Sequence, residues 1–169
     1  MENVILTRRS CRRFEDRPVE KEKIEAVLRA GMQAPSGKDA RPWQFLVLTE
    51  RESLEILSQT CPFSVSAAKA PAAIVLLADF DREEREPLWW PQALSACAEN
   101  MLLQAELEGL GATWLGVWPM PKRVAWLREH FSVPENLEPF AAIVLGYKQK
   151  QKPAEDRWNP SLVHWETLT

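Results

Sequence analysis

The chain has 169 residues, 46% of them hydrophobic and 27% charged, with a net charge of -3. That length suits one domain, able to bury about 70% of its unfolded surface without a disulfide framework, and the composition excludes global disorder. The mild acidity argues against bulk attraction to nucleic acid or to an anionic membrane, and the longest apolar run, residues 70–78, is far short of the ~20 residues of a membrane span.

In chain order, residues 2–7 predict a short helix that runs into Arg8, Arg9, Arg12 and Arg13. Pro18 opens a second helix over 19–30, with Ile24, Val27, Leu28 and Gly31 on one face and Gly31 and Pro35 ending it. Residues 34–42 (APSGKDARP) read as a loop. Residues 43–48 (WQFLVL) predict a buried strand, and Thr49 with Glu52 predicts a capping box ahead of a helix to about Ser58. A strand follows over 72–78, then a charged solvated loop over 81–87. The longest helix, 91–108, is apolar almost all round, which points to burial on most sides, in the core or against another chain. Strands over 112–117 and 140–145 flank a helix from Pro121 to about Phe131. The tail, 147–169, is polar and Pro-interrupted yet keeps Trp158, Val163 and Trp165, so it is expected to pack on its own domain or on a partner. The pattern predicts an α+β domain of three layers, a sheet of four or more strands with helices on it.

Four constellations could carry chemistry. Arg8-Arg9-Ser10 and Arg12-Arg13 offer planar, bidentate groups for phosphate or carboxylate, or form a solvated basic turn. The 34–43 loop combines small residues that let a flat ligand approach with prolines that hold it stiff. Gly109–Gly116 is a glycine-flanked strand with main chain to offer, although it lacks the dinucleotide fingerprint. Arg157 adds one more cation in the tail. Cys11, Cys61 and Cys97 have no C-x-x-C spacing and read as reduced thiols, not as a metal site. Trp89-Trp90 reads either as a lid over a ligand or as a hydrophobic plug at a helix entry, and His130 and His164 read as structural.

Taken together and in this order, RRSCRRF (8–14), APSGKDARPWQF (34–45), GLGATWLG (109–116) and the terminal R-x-x-x-x-x-VHW (157–165) resemble the FMN-dependent nitroreductase family. The likeness runs through nearly the whole chain, which looks like a compact member. It implies a three-layer α/β/α fold around a mainly antiparallel sheet, with residues 1–169 as one FMN-binding domain. It also implies an intertwined homodimer with two shared flavin sites, in which 147–169 packs on the partner. By the same resemblance Arg8, Arg9, Ser10 and Arg12 would hold the phosphate and the isoalloxazine carbonyl edge, and Arg157 would add to the phosphate site. Pro35, Ser36, Gly37 and Asp39 would reach the flavin from the second subunit, and Trp114, Leu115 and Gly116 would line it. The family usually has Asn where this chain has Asp39, and often Gln where it has Arg41, so Arg41 is expected to neutralise the added carboxylate.

The activity implied is ping-pong reduction of nitroaromatics, quinones or similar acceptors by NADH or NADPH. No side chain is expected to act as acid, base or nucleophile, because the flavin carries the chemistry. The alternative is a flavin-binding protein of the same fold with another electron donor or substrate. No nucleic acid, membrane or metal is expected. The opening MENVILTRRS lacks a basic-then-apolar leader pattern, so a cytoplasmic location is expected.

Overall fold

In the computed structural model, which describes residues 3–85 and 87–168, helices sandwich a four-stranded sheet. Glu2 of the expected first helix, Glu86 of the charged loop and Thr169 of the tail lie outside the described residues. The elements are α1 (Val4–Thr7), α2 (Lys21–Met32), β1 (Trp43–Leu48), α3 (Arg51–Ser58), β2 (Ala72–Asp79), α4 (Trp90–Leu107), β3 (Leu110–Gly116), α5 (Pro121–Phe131) and β4 (Leu137–Tyr147). The strand order is β1-β2-β4-β3, with every neighbouring pair antiparallel.

Strand alternation explains the three layers. Ile74, Leu76, Ile143 and Leu145 point toward α2 and α4, where they pack with Val27, Leu94 and Met101. Val75, Leu77, Ala142 and Val144 point the other way, onto Leu54 and Leu57 of α3 and Leu127 of α5. A strand covered on both faces has no polar alternation, and all eight residues of β2 are buried.

Several local expectations are corrected. α2 runs past Gly31, which is a point of helix contact rather than a stop: a Cβ there would lie 2.8 Å from Met101 Cγ and 3.0 Å from Cys97 Sγ of α4. The capping box does not form, because Glu50 occupies the N-cap of α3 and no side chain caps that end. β4 starts at Leu137, three residues before the expected 140–145 strand. Pro139 had masked that extension. The register passes from Leu76↔Ala141 to Leu77↔Pro139, so Phe140 is the extra residue of a bulge beside a proline that has no N–H to donate.

The bulge positions the far end of β3. The Phe140 carbonyl accepts hydrogen bonds from the amides of Val117 (3.1 Å) and Trp118 (2.9 Å), which turn the chain out of β3 just beyond Gly116. Phe140 also meets Trp114 and Trp90 edge-to-face, at ring separations of 5.8 and 6.0 Å, and Trp90 packs on Trp118 at 5.0 Å. This cluster splits the tryptophan pair. Trp90 is the buried plug, whereas Trp89 is 44% exposed.

Candidate functional site

The arginine segment is tied to the edge of the sheet by its main chain. Cys11 N donates to Ala112 O (2.9 Å), Glu15 N to Tyr147 O (2.9 Å) and Gln149 N to Arg13 O (3.2 Å). Ser10 thereby lies beside Ala112 of β3 as a short parallel bridge. Gly111 makes this approach possible, since a Cβ there would collide with Lys148 Cγ and lie 2.6 Å from Cys11 Cβ. Four arginines are thus held on a fixed stretch of chain beside the exit of β4.

Their charges face two hollows. One, of about 420 Å³, is lined by Arg8, Arg9, Glu99, Glu155, Arg157 and Trp158 among others. Here Arg9 Nη1 lies 2.9 Å from Glu155 Oε2 and donates to Pro153 O at 3.2 Å. Arg157 Nη2 donates to the same Glu155 Oε2 at 3.0 Å, and Arg8 Nε lies 3.5 Å from Glu99 Oε1. The hydrogen bond and charge of Arg157, with the charge of Arg9, hold the Glu155 carboxyl below the usual range. The second hollow, of about 340 Å³, is lined by Ser10, Arg12, Arg13, Lys150 and Lys152, with Arg9 shared between the two. Arg12 and Arg13 have no ion-pair partner among the described residues, while Lys148 at its wall is paired with Glu106 at 3.0 Å.

The small-residue loop stands elsewhere. Pro35, Ser36 and Gly37 line a third hollow of about 450 Å³ with Trp89, Gln92, Ala93 and Ala96 of the α4 end. Lys38, Asp39 and Arg41 all take left-handed backbone, with φ of 51°, 56° and 49°, a conformation that costs non-glycine residues energy and persists where surroundings enforce it. Enforcement comes from Ser36 Oγ, which accepts from Arg41 N (2.9 Å), and from a bidentate fork in which Arg41 Nε and Nη2 donate to Asp39 at 2.8 and 2.7 Å. That hydrogen bonding lowers the Asp39 carboxyl below its ordinary value and raises the Arg41 guanidinium above its own. Lys38 Nζ sits 5.3 Å from the Trp89 ring, and burial raises the neighbouring Glu83 carboxyl, partly offset by the charge of Lys38.

The third constellation is on the edge strand β3, which the arginine segment covers only at Ala112. Trp114 is half-buried against Phe140, Leu115 is buried in the α3/α5 core and Gly116 is exposed. Leu115 can therefore offer a ligand only its main chain. The Gly116 carbonyl already accepts from Arg123 Nη1 at 2.7 Å.

One subunit thus brings Arg8, Arg9 and Arg157 together and sets Ser10 and Arg12 beside them. Pro35, Ser36 and Gly37 line a separate hollow, with Asp39 on the same loop. Glu99 and Glu155 escaped the sequence reading. The signal for Glu155 was its position two residues before Arg157, which is weak because acidic residues abound in this chain. Among the described residues no cluster of His, Cys, Asp or Glu could hold a metal, and no helix is long and apolar enough to cross a membrane.

The model of the nitroreductase family matches residues 5–61 and 58–147. The chain belongs to the nitroreductase family. A protein of Archaeoglobus fulgidus, named a putative NADH dehydrogenase/NAD(P)H nitroreductase, is 41% identical over 96% of this chain and 95% of its own length. Among solved structures, a putative NADH oxidase of Clostridium acetobutylicum is 42% identical, with a TM-score of 0.94 over 98% of this chain and 99% of that one. An FMN-dependent nitroreductase of Clostridium difficile R20291 is 31% identical, with a TM-score of 0.90 over 98% of each chain. These likenesses establish the expected nitroreductase fold. The family match stops at residue 147, so Glu155 and Arg157 belong to the stretch beyond it.

Proposed function

We propose that the chain is an FMN-dependent oxidoreductase that takes electrons from NADH or NADPH and delivers them to nitroaromatics, quinones or similar small acceptors. The observation that carries this reading is a carboxylate clasped by two guanidinium groups, Glu155 between Arg9 and Arg157. A place that holds a carboxylate in this way suits a phosphate monoester, which presents the same oxygens with more charge.

On this reading Arg8, Arg9 and Arg157 bind the phosphate from one side. Ser10 and Arg12 reach it and the carbonyl edge of the ring from the other, where Arg12 has no ion-pair partner among the described residues. FMN held by these residues would supply the redox chemistry, two-electron exchange between a nicotinamide and the acceptor. The guanidinium groups favour added negative charge on whatever they bind, with no reorganisation needed at the moment of reaction. Gly116, exposed and without a side chain, leaves the edge of β3 open to a flat ligand. Pro35, Ser36, Gly37 and Asp39 complete the site from the second subunit, which is why they line a separate hollow within one chain. The Asp39–Arg41 fork cancels the charge of the carboxylate there. His130 stands apart from this site, stacked on Trp126 at 3.8 Å on the α5 side of the sheet.

A single cleft then serves donor and acceptor in turn. The test is the spectrum of the purified protein, followed by anaerobic titration with each nucleotide and steady-state turnover of a nitroaromatic. A yellow protein bleached by NADH or NADPH, with parallel double-reciprocal plots, is expected. Colourless protein that FMN cannot reconstitute, or flavin that neither nucleotide bleaches, overturns the reading.

A further inference from the structure

Outside the residues assigned above, the feature that bears most directly on the site is Glu155 itself. It lies on the extended chain after β4, anchored by its amide to Leu6 O (3.3 Å), so its main chain is fixed beside α1 while its carboxylate spans Arg9 and Arg157. Arg9 has a second acceptor in Pro153 O and keeps its place without Glu155, whereas Arg157 has no other partner among the described residues.

We propose that Glu155 is an internal stand-in for the cofactor phosphate, an anion of the chain itself that fills the seat between Arg9 and Arg157 and must be pushed out when FMN binds. This rests on the reading that those arginines hold the phosphate. Two guanidinium groups facing one hollow repel each other unless an anion lies between them, and Glu155 supplies one before the cofactor arrives. A single carboxylate neutralises half of that pair of charges. A phosphate dianion neutralises all of it and displaces the carboxylate, whereas a monoanion such as chloride offers no more than Glu155 already does. Glu155 therefore sets a threshold that favours dianionic ligands, and it lowers affinity for FMN by the strength of the contacts given up. The residues concerned are largely exposed, with side-chain exposures of 26%, 46% and 64% for Arg9, Glu155 and Arg157. The threshold is accordingly modest, about three- to tenfold in affinity, as for a pair of surface ion contacts.

The experiment strips flavin from the wild-type protein, Glu155→Gln and Arg157→Ala, then titrates each with FMN and with riboflavin by flavin fluorescence quenching. Glu155→Gln keeps the size and shape of the side chain and removes only its charge. The expected result is an FMN dissociation constant about three- to tenfold lower in Glu155→Gln, with a faster association rate, unchanged riboflavin binding, and FMN binding that chloride now weakens more steeply. Arg157→Ala should lose FMN affinity and leave riboflavin alone. Unchanged or weaker FMN binding in Glu155→Gln, while Arg157→Ala weakens it, overturns the stand-in and leaves the phosphate seat intact. FMN binding equal in Arg157→Ala and wild type overturns the seat, and the stand-in with it.

Discussion

At the scale of single residues, charge placement decides most of what can be tested. Arg8 and Arg12 face the candidate phosphate seat from different hollows, so their losses should be separable. Each removes one charge-assisted bond, and Arg8→Ala or Arg12→Ala should weaken FMN binding by about 1.5–3 kcal/mol. Arg8→Ala also releases Glu99, its only ion partner among the described residues, which adds an unpaired anion near the phosphate and makes it the more damaging of the two. Isothermal titration against FMN checks both. A second prediction concerns pH. Glu20 has its pKa lowered to about 2, first by the Tyr147 hydroxyl that donates to it at 2.7 Å, then by its own amide and by Arg17. A carboxylate depressed in the folded state stabilises the fold above its unfolded pKa, near 4.5, and that stabilisation is lost as pH falls from there toward 2. Tyr147→Phe should therefore lose stability relative to wild type above pH 4.5 and converge on it near pH 2, as urea midpoints across that range would show. At the opposite extreme, burial pushes the Cys97 thiol up to about 12, so alkylation of the native protein should spare it.

At the scale of elements, the two neighbouring tryptophans call for opposite outcomes. Trp90→Ala opens a hole among Phe80, Trp118 and Phe140 and should cost about 3–5 kcal/mol of stability. Trp89→Ala removes a half-exposed ring at the edge of the loop hollow, 3.6 Å from where a Gly37 Cβ would stand and 5.3 Å from Lys38 Nζ. Its melting temperature should stay near wild type while the KM for aromatic acceptors rises. The sequence spoke for both roles and could not divide them, because helix start and lid look alike until the aromatic partners on β3 and β4 are known. The same limit governs the element ends. The apolar pattern located α1 to α5 and β1 to β4, whereas the short 3-10 turns at Gly37–Asp39, Ala67–Lys69 and Pro160–Leu162 carry no such signal. Gly31 was misread as a stop because a close contact with Met101 and a helix end both select glycine, and only the position of α4 separates them. Pro139 hid the start of β4 because a bulge that tolerates proline is a property of the pair β2–β4, not of β4 alone. Gly111 offers the sharpest test of how an element sets the site. Gly111→Ala should drive Cys11 away from β3, weakening FMN binding as well as costing about 1–3 kcal/mol by overpacking, seen by comparing thermal melts with FMN titrations.

At the scale of the molecule, the arginine pattern and the small-residue loop were each legible in the sequence, and the distance between them was not. Their separate hollows make sense if a second copy brings its loop to the first copy's arginines. The surface left over argues the same way. Trp158, Leu162, Trp165 and Leu168 of the tail are 70–84% exposed, and Ile5, Phe63 and Val65 elsewhere are 66–75% exposed. Isolated apolar side chains on a surface need no explanation, but a tail carrying four of them within eleven residues does. Its own subunit holds residues 151–155 by hydrogen bonds to Gln151, Pro153 and Glu155, yet none of the described residues beyond 150 is buried there. A partner that covers it would tie its two chains together by an exchange of arms, and would draw on the outer side of α4, where Leu103 is half-buried and Leu107 is 56% exposed. Ending the chain after Arg157 tests this, because the truncation removes the apolar tail and keeps both the folded core and the last of the arginines proposed to bind phosphate. The full chain should sediment as a dimer with two flavins. The truncated one should dissociate and lose FMN together, since a monomer has the arginines but lacks the second copy's 35–39 loop. A truncated chain that sediments as a monomer yet holds FMN as tightly as the full one would show that a single subunit suffices, and would return Pro35, Ser36, Gly37 and Asp39 to an ordinary loop.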